Sequence, residues 1–365
     1  MAIHCLSRIN SIDRPDAIFP RADTGSQRTI MSGYKLTTTV FIAGYPRSGT
    51  TWFSNLLNSH PHTVYRHEAI GRLYPLLGDS LWRKLKFDGG LSDSDYQRLI
   101  QLLASAHVES DKPPFFFKDF RRINLLELQK LVWAAGKASP KLQTLYAKWF
   151  TPREGSQFAL VLKETRSSAN LRSIIAGTRA NHVITLIRHP YAVVASHLRG
   201  QRAGVMSRST ADGRRHWFRS NGIHRYLKDN SILAEEVAAM SEATFLALRW
   251  RVQNQDYIDL SSGPWQFSEI GYETFLADPA KNSISLLKTL GLTNDPQVNQ
   301  FIEESRATHD RRRKIIPDTS TSYFSVYKNS PVRLDEWKQV LSSEDCASID
   351  RHTADLVRRF DLRAE

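Results

Sequence analysis

The apolar residues of this chain fall into short continuous runs, not into the alternating pattern of a sheet with one solvated face. The runs near 38–44, at 158–163 and at 183–187 are rich in Val, Ile and Leu, and a segment with helical spacing of apolar residues follows each run. Continuous runs of this length are typical of strands that are buried on both faces of a parallel sheet. Strands that alternate with helices predict an α/β fold, with three layers around a central and mostly parallel sheet.

The same pattern divides the chain into a leader and one domain. Residues 1–36 are polar and predict a disordered leader, and residues 37–365 predict a single domain. Within it, residues 72–155 are interpreted as a helical insertion, residues 200–235 as an exposed loop or lid, and residues 264–279 as a strand and turn. The predicted helices span 50–59, 171–178, 236–259, 283–292 and 335–360.

The first apolar run leads into a glycine-bounded loop with the sequence FIAGYPRSGTTW, at residues 41–52. Gly44 and Gly49 have the spacing of the nucleotide-binding pattern G-x-x-x-x-G-K-[ST]. Thr50 stands where that pattern has its lysine, and the cation lies inside the loop at Arg47. This difference favours a phosphate ester other than ATP.

The composition of this loop favours an anion as its ligand. Glycines allow the tight turn that brings backbone N–H groups close to an anion. Because a helical pattern follows, the loop delivers the anion to a helix N-terminus. Ser48, Thr50 and Thr51 add hydroxyl donors. A strand–turn–helix corner with a chance pair of glycines is the alternative.

A second candidate anion site lies in the stretch VITLIRHPYAVVASHLRGQR. Arg188 ends its apolar run, and Pro190 suits the first turn of a new helix. Ser196 follows about two helical turns after Arg188, so both side chains can face one anion. Arg199 is one turn further and can join them. An ordinary strand–helix unit with a surface arginine is the alternative.

These two stretches, in this order, resemble the sulfotransferase superfamily. The string YPRSGTTW is similar to the 5′-phosphosulfate loop of that superfamily, where tyrosylprotein and carbohydrate members carry Arg at the position of Arg47 and cytosolic members usually carry Lys. The resemblance implies the donor 3′-phosphoadenosine 5′-phosphosulfate (PAPS), the product adenosine 3′,5′-bisphosphate (PAP), and no required metal. It implies that Arg188 and Ser196 bind the 3′-phosphate. The residues that it assigns to the 5′-phosphosulfate end are Arg47, Ser48, Gly49, Thr50 and Thr51, with Trp52 as a further contact.

The resemblance also suggests a general base. Cytosolic members place a His two residues after a Lys at a strand end, but Thr165 stands two residues after Lys163 here. Tyrosylprotein members place a Glu 21 residues after the loop arginine, and Glu68 stands 21 residues after Arg47. Glu68 is therefore the predicted base, with a surface or ion-paired carboxylate as the alternative. His67 is the alternative base, because imidazole is the most common general base.

Four further residues match positions that the superfamily uses. Lys163 resembles the Lys that stabilises charge on the sulfuryl group and the leaving phosphate. The stretch STSYFSVYKNSPVRLDEW resembles the S-x-x-x-V-x-K-P segment of tyrosylprotein members, although Asn329 replaces the Pro. There, Ser322 would support the sulfuryl oxygens and Lys328 would contact the donor. Tyr272, in YETFL, would contact the nucleotide. A surface Lys and a packing Tyr are the alternatives.

Composition and charge fit an enzyme with an anionic donor. The chain has 365 residues, of which 41% are apolar and 24% charged, and its formal net charge is +13. A polyanionic donor accounts for part of this excess, and an anionic membrane surface is a further partner that the charge allows. Two cysteines, Cys5 and Cys346, cannot form a disulfide framework or a zinc cluster. The sequence shows neither a membrane-spanning run nor a signal peptide, so the expected location is cytoplasmic.

The sequence thus predicts a PAPS-dependent sulfotransferase that uses in-line transfer and a Glu base. A glycan or glycolipid hydroxyl is the predicted acceptor, because the Arg loop and the Glu base recur in carbohydrate-modifying members. A peptide tyrosine and a small phenol are the alternative acceptors. A nucleotide kinase or NTPase, a non-catalytic basic module that binds nucleic acid or glycan, and an inactive scaffold are the alternative functions. The missing loop lysine and the Arg188–Ser196 pair argue against an NTPase.

Overall fold

A mostly parallel sheet forms the centre of the structure. The computed structural model describes residues 30–31, 34–88, 90–165, 170–222, 224–306 and 335–362. Its strands are β1 (Ile30–Met31), β2 (Tyr34–Gly44), β3 (Thr63–His67), β4 (Gln157–Glu164), β5 (His182–Ile187) and β6 (Gln266–Gly271). The order across the sheet is β3-β4-β2-β5-β6 with parallel neighbours throughout, and β1 pairs antiparallel with β2. The predicted α/β class with a central, mostly parallel sheet is therefore confirmed.

Helices lie in the connections between the strands and after the last strand. They are α1 (Thr50–Ser59), α2 (Ala69–Arg72), α3 (Tyr74–Leu77), α4 (Asp79–Arg83), α5 (Asp93–Ala104), α6 (Leu126–Gly136), α7 (Pro140–Phe150), α8 (Leu171–Gly177), α9 (Pro190–Arg202), α10 (Ala211–Asn221), α11 (Arg225–Asp229), α12 (Ala234–Ala239), α13 (Glu242–Ile258), α14 (Tyr272–Ala277), α15 (Pro279–Thr289), α16 (Pro296–Arg306) and α17 (Ser343–Arg359). A π-helix spans Lys84–Asp88, and 3₁₀-helices span Asp259–Ser262 and Glu336–Gln339. Pro140, Pro190 and Pro279 begin their helices, where a missing N–H loses no hydrogen bond.

Each face of the sheet carries its own hydrophobic core. Successive residues of a strand point to opposite faces. On β2, Phe41 and Ala43 belong to a core formed with α5, α8 and part of α13, whereas Val40 and Ile42 belong to a core formed with α1, α14, α15 and α16. Because both faces are covered, the strands read as continuous apolar runs and the structure has three layers.

The structure replaces the predicted exposed loop at 200–235 with helices. α9 continues to residue 202, and α10 and α11 follow before α12 begins. On α10, the buried Arg214 pairs with Glu242 at 2.8 Å, and the ring of Trp217 packs against Phe245 with centroids 5.4 Å apart.

Other elements also depart from the prediction. The expected helix at 236–259 is two helices, α12 and α13, separated at residues 240–241. Strand β3 and helix α16 were not predicted, and the strand and turn expected at 264–279 are β6 followed directly by α14. Within the predicted leader, residues 30–31 and 34–36 lie in strands, and its other residues lie outside the described part of the chain.

A buried arginine joins the sheet to the helical segment that follows β3. Arg66, on β3, donates hydrogen bonds of 2.7–2.8 Å to the carbonyl oxygens of residues 103–105 at the end of α5. Its Nη1 donates to Asp111 at 2.8 Å, and Asp111 accepts from Tyr146 of α7 at 2.9 Å. Both partners of this ion pair are almost fully buried. The pair therefore links β3, α5 and α7.

Replacing Arg66 should destabilise the fold strongly. Arg66→Met leaves Asp111 buried without its cation, and loss of one partner of a buried pair typically costs about 3–5 kcal/mol. Denaturant unfolding measures this change in the free energy of unfolding. As a control, Arg225→Met alters an arginine whose side chain is 90% exposed, and the expected change is within about 0.5 kcal/mol. Equal stability of the two variants would contradict the role of Arg66.

Candidate active site

The loop between β2 and α1 has a strained backbone. Arg47 has a φ of 76° and Gly49 a φ of 85°, both in the left-handed region. The N–H of Ser48 donates to the carbonyl oxygen of Tyr45 at 3.0 Å, which closes the turn. A non-glycine residue in this region is unfavourable, and such strain is concentrated at functional sites.

Two glycines allow the close packing around this loop. A Cβ on Gly49 would lie 2.1 Å from the ring of Tyr272, and a Cβ on Gly44 would lie 2.6 Å from the methyl group of Thr50. The positive φ of Gly49 is a second reason for glycine there. The loop is therefore clamped between the start of α1 and the start of α14.

The two stretches that sequence predicted as anion sites contact each other. Arg47 Nε donates to Ser196 Oγ at 3.0 Å, although 149 positions separate the two residues. Arg188 Nη1 donates to the carbonyl oxygen of Arg47 at 3.2 Å. The structure thus brings the first loop, the end of β5 and the first turns of α9 into one cationic cluster.

Buried partners hold Arg188 in place. Its guanidinium lies 4.9 Å from the centre of the Tyr272 ring, and its Nε lies 3.6 Å from a carboxylate oxygen of Glu273. The indole of Trp250 donates to the carbonyl oxygen of Arg188 at 3.2 Å. Burial raises the pKa of Glu273, while the neighbouring Arg188 lowers it. The N–H of His189 also donates to Glu273, at 3.2 Å.

The hydroxyl groups of the loop differ in their surroundings. Ser48 is fully buried, and its Oγ has no hydrogen-bond partner within the described residues. A buried hydroxyl without a partner is unfavourable, so it fits a site that receives an anionic oxygen. Thr50 is buried at the start of α1, next to the half-buried Thr51. Trp52 lies in the core, where its indole N–H donates to Ser305 at 2.8 Å.

Glu68 is the centre of a second polar cluster, at the ends of β3 and β4. Its backbone lies in the left-handed region, with φ of 50°, and its N–H donates to the carbonyl oxygen of Lys163 at 2.8 Å. Its Oε1 accepts from Thr165 Oγ1 at 2.9 Å and from Lys163 Nζ at 3.3 Å. Its Oε2 accepts from Arg72 Nη2 at 3.3 Å. This geometry orients the carboxylate.

Register places Lys163 between the two clusters. It lies opposite Ile42 of β2 on one side and His67 of β3 on the other. Its side chain is only 3% exposed, and burial lowers the pKa of Lys163 although the neighbouring Glu68 raises it. Lys163, the lysine predicted to stabilise the transferring group, is thus paired with the predicted base.

His67 is hydrogen-bonded through both ring nitrogens. Nδ1 lies 3.0 Å from Tyr65 Oη, and Nε2 lies 3.1 Å from Lys112 Nζ. Burial and the positive charges of Lys163 and Lys112 hold the pKa of His67 well below its usual value. An imidazole that accepts from an ammonium at Nε2 carries its proton at Nδ1. This arrangement makes Glu68 the better candidate for the base.

Lys112 was not found by sequence reasoning. Burial lowers the pKa of Lys112 to about 8, and the positive charge of Arg72 acts in the same direction. Arg72, which was also missed, stands four residues after Glu68 at the end of α2. An i,i+4 acid–base spacing was the available signal for Arg72. Lys112 lies in an irregular segment, and nothing in its local sequence indicates that it contacts His67.

A second carboxyl group, that of Glu164, lies near Glu68. Glu164 is buried, and its Oε1 accepts from the N–H of Ile70 at 2.9 Å. Burial raises the pKa of Glu164 to about 7, and the negative charge of Glu68 adds to this shift. The hydrogen bond ties the end of β4 to the first turn of α2, which carries Arg72.

The remaining residues that the sequence predicted for the site lie outside these two clusters or outside the described residues. Tyr272 is buried against Gly49, and Arg199 forms an ion pair of 3.0 Å with Glu336. Ser322 and Lys328 lie outside the described residues. Across the described ranges, no group of three or more His, Cys, Asp and Glu side chains could hold a metal ion. The same part of the chain contains no helix of the length and apolar character that crossing a membrane requires.

Comparisons with known proteins identify a related family. The family model described as "Sulfotransferase family" matches residues 39–296. The sulfotransferase domain from the Synechococcus PCC 7002 olefin synthase is similar, with 18% identity, a TM-score of 0.41, and coverage of 92% of this chain and 98% of that chain. Mouse sulfotransferase SULT7A1, solved in complex with PAP, has 12% identity, a TM-score of 0.37, and coverage of 89% and 85%. No curated protein sequence matches the chain.

The buried Glu164 should give stability a characteristic pH dependence. Its folded-state pKa, about 7, is above the ordinary value of 4.5, so the folded protein binds more protons than the unfolded chain between these values. The free energy of unfolding should therefore fall as pH rises from about 4.5 to about 7, by roughly 3 kcal/mol from this group. Denaturant unfolding across this pH range measures the slope.

Glu164→Gln should remove this part of the slope, because an amide does not titrate and its oxygen can still accept from Ile70. The matched control is Glu303→Gln, at an exposed position of α16, which should leave the wild-type slope unchanged. If the free energy of unfolding has the same pH slope in Glu164→Gln as in the wild type, the prediction that the pKa of Glu164 is raised is wrong.

Proposed function

Because the chain belongs to the sulfotransferase family, whose model matches residues 39–296, we propose that it transfers a sulfuryl group from PAPS to an acceptor hydroxyl. The contact among Arg47, Arg188 and Ser196 is the observation that carries this proposal. It joins two basic stretches at the carboxyl ends of β2 and β5, where ligands of open parallel sheets bind. A donor with both a 5′-phosphosulfate and a 3′-phosphate needs two adjacent anion sites.

The loop residues fit the phosphosulfate end of PAPS. PAPS supplies the activated sulfuryl group when bound. Ser48 Oγ, which is buried without a partner among the described residues, and the N–H groups at the start of α1 would hold its oxygens. Arg47 supplies positive charge, and Thr50 and Thr51 supply hydroxyl donors. Trp52 supports this end from the core, through its bond to Ser305.

The 3′-phosphate is assigned to Arg188 and Ser196. Arg188 is already oriented by Tyr272 and Glu273, so little rearrangement is needed to present its guanidinium. Tyr272 is proposed to contact the nucleotide as well. Ser322 and Lys328 are proposed to support the sulfuryl oxygens and the donor, on the resemblance alone.

Glu68 is the proposed general base. The acceptor oxygen bonds to sulfur as the bond from sulfur to the bridging oxygen breaks, the acceptor proton passes to Glu68, and the electron pair of the broken bond stays with PAP. Lys163, 3.3 Å from Glu68 Oε1, stabilises charge on the transferring group and the leaving phosphate. His67 is the alternative base.

The proposed acceptor is a glycan or glycolipid hydroxyl. The Arg loop and the Glu base support this choice, since both recur in carbohydrate-modifying members of the superfamily. A peptide tyrosine and a small phenol are the alternatives. Transfer of labelled sulfate from PAPS to a panel of a glycan, a glycolipid, a tyrosine peptide and a phenol tests this choice. Absence of transfer to every member would contradict the proposed function.

Arg188→Met should weaken PAP binding selectively. Loss of a charge-assisted hydrogen bond to the 3′-phosphate should lower PAP affinity roughly tenfold to hundredfold. The affinity for adenosine 5′-phosphate, which lacks the 3′-phosphate, should change much less. Calorimetry with both nucleotides measures the difference. Arg202→Met, an exposed change at the end of α9, the helix that follows Arg188, is the control.

Two results would count against this assignment. An equal loss of affinity for both nucleotides would show that Arg188 supports the site as a whole and does not recognise the 3′-phosphate. Tighter binding of ATP with Mg²⁺ than of PAP by the wild-type protein would instead identify a nucleotide kinase or NTPase.

Glu68→Gln should slow turnover without affecting the donor. Loss of a general base typically lowers kcat by about 10²–10⁴-fold, whereas the PAP dissociation constant should stay near the wild-type value. Sulfate-transfer kinetics and PAP calorimetry measure the two quantities. His67→Asn is the comparison variant. If Glu68→Gln keeps wild-type turnover while His67→Asn loses it, His67 is the base.

A further inference from the structure

A cavity opens beside the Glu68 cluster. It has a volume of about 200 Å³ and lies among α2, α3, the segment that follows α5, and α7. Leu73, Pro75 and Leu76 form its mainly apolar walls. A water molecule occupies about 30 Å³ in the liquid, so the cavity can hold at least a ring or chain of roughly six carbon atoms.

Arg72 connects this cavity to the proposed base. Arg72 lines the cavity, and its Nη2 donates to Glu68 Oε2 at 3.3 Å. A molecule whose apolar part fills the cavity therefore has its other end beside the side chain that orients Glu68. The Nε of Arg72 is buried and has no hydrogen-bond partner among the described residues.

Two charged residues line the cavity, Arg72 and the exposed Glu109, and because their charges are opposite the cavity does not select an ionic ligand. Burial lowers the pKa of His107, although the hydrogen bond of its Nε2 with the carbonyl oxygen of Leu102, at 3.0 Å, acts in the opposite direction. Arg72 is already paired with Glu68. Gln143, on α7, contributes a neutral amide.

Apolar surface continues outside the cavity. The side chain of Leu76 is 52% exposed, although it also lines the cavity, and Leu142, next to Gln143 in the sequence, is 37% exposed. Exposed apolar residues at the mouth of an apolar cavity are typical of a ligand site.

We propose that this cavity binds the apolar part of the acceptor. The acceptor class is then an alcohol or glycoside whose hydroxyl is attached to an apolar group, rather than a free glycan. This inference rests on the proposed sulfuryl transfer with Glu68 as base. It assigns specificity to Leu76 and Gln143, which no feature of the sequence singled out.

A matched pair of acceptors tests the inference. Hexyl β-D-glucopyranoside and methyl β-D-glucopyranoside present the same sugar hydroxyls and differ only in the alkyl group. With PAPS and the full chain, kcat/KM for the hexyl compound should exceed that for the methyl compound at least about tenfold. Leu76→Gln makes a wall polar, and Gln143→Phe fills the space. Each should lower this ratio about tenfold, toward parity.

Both substituted positions are exposed, so neither change removes core packing. Leu131→Gln, which alters a 65% exposed leucine on α6 outside the cavity, is the matched control and should keep the wild-type ratio. Transfer to both glucosides at equal efficiency, or an unchanged ratio in both cavity variants, would overturn the inference and leave the proposed function standing. No transfer from PAPS to these glucosides or to any acceptor of the wider panel would overturn both.

Discussion

Parallel pairing of β2 with β4 on one side and β5 on the other is the constraint on which the site depends. The register sets Ile42 opposite Lys163 and Gly44 opposite Leu186. The carboxyl ends of these strands therefore meet at one edge, with the glycine-bounded loop between Lys163 and Arg188. A shift of one residue would move each strand's side chains to the opposite face of the sheet and disrupt both cores.

Charge balance is the second property that shapes this edge. Burying a charge is unfavourable unless it is paired, so each buried cation here has a partner. Lys163 pairs with Glu68, and Arg188 lies against Glu273. Glu68 thus has two physical roles in the proposed reaction. It accepts the acceptor's proton, and its negative charge stabilises the cations that surround the transferring group.

Much of the fold followed from apolar periodicity, and the failures have definite causes. The runs at 158–162 and 183–187, which lie in β4 and β5, are almost entirely apolar, so the sequence predicted their burial. Strand β3 was missed because it buries Arg66 and His67, which depend on partners far away in the sequence, such as Asp111 and Lys112. The helices at 200–235 were missed because Arg214 looks like a surface residue until Glu242 pairs with it.

The sequence by itself determined the local chemistry: the glycine-bounded loop with Arg47, the spacing from Arg188 to Ser196, and the position of Glu68 after the first helix. Each of these features is defined by residue types and their spacing along a short stretch of the chain. Only the tertiary structure decided three contacts: the hydrogen bond of Arg47 with Ser196, the hydrogen bond of Lys112 with His67, and the position of Arg72 between Glu68 and an apolar cavity. Such contacts depend on strand register and on how helices pack over the sheet, and residue spacing carries no information about either.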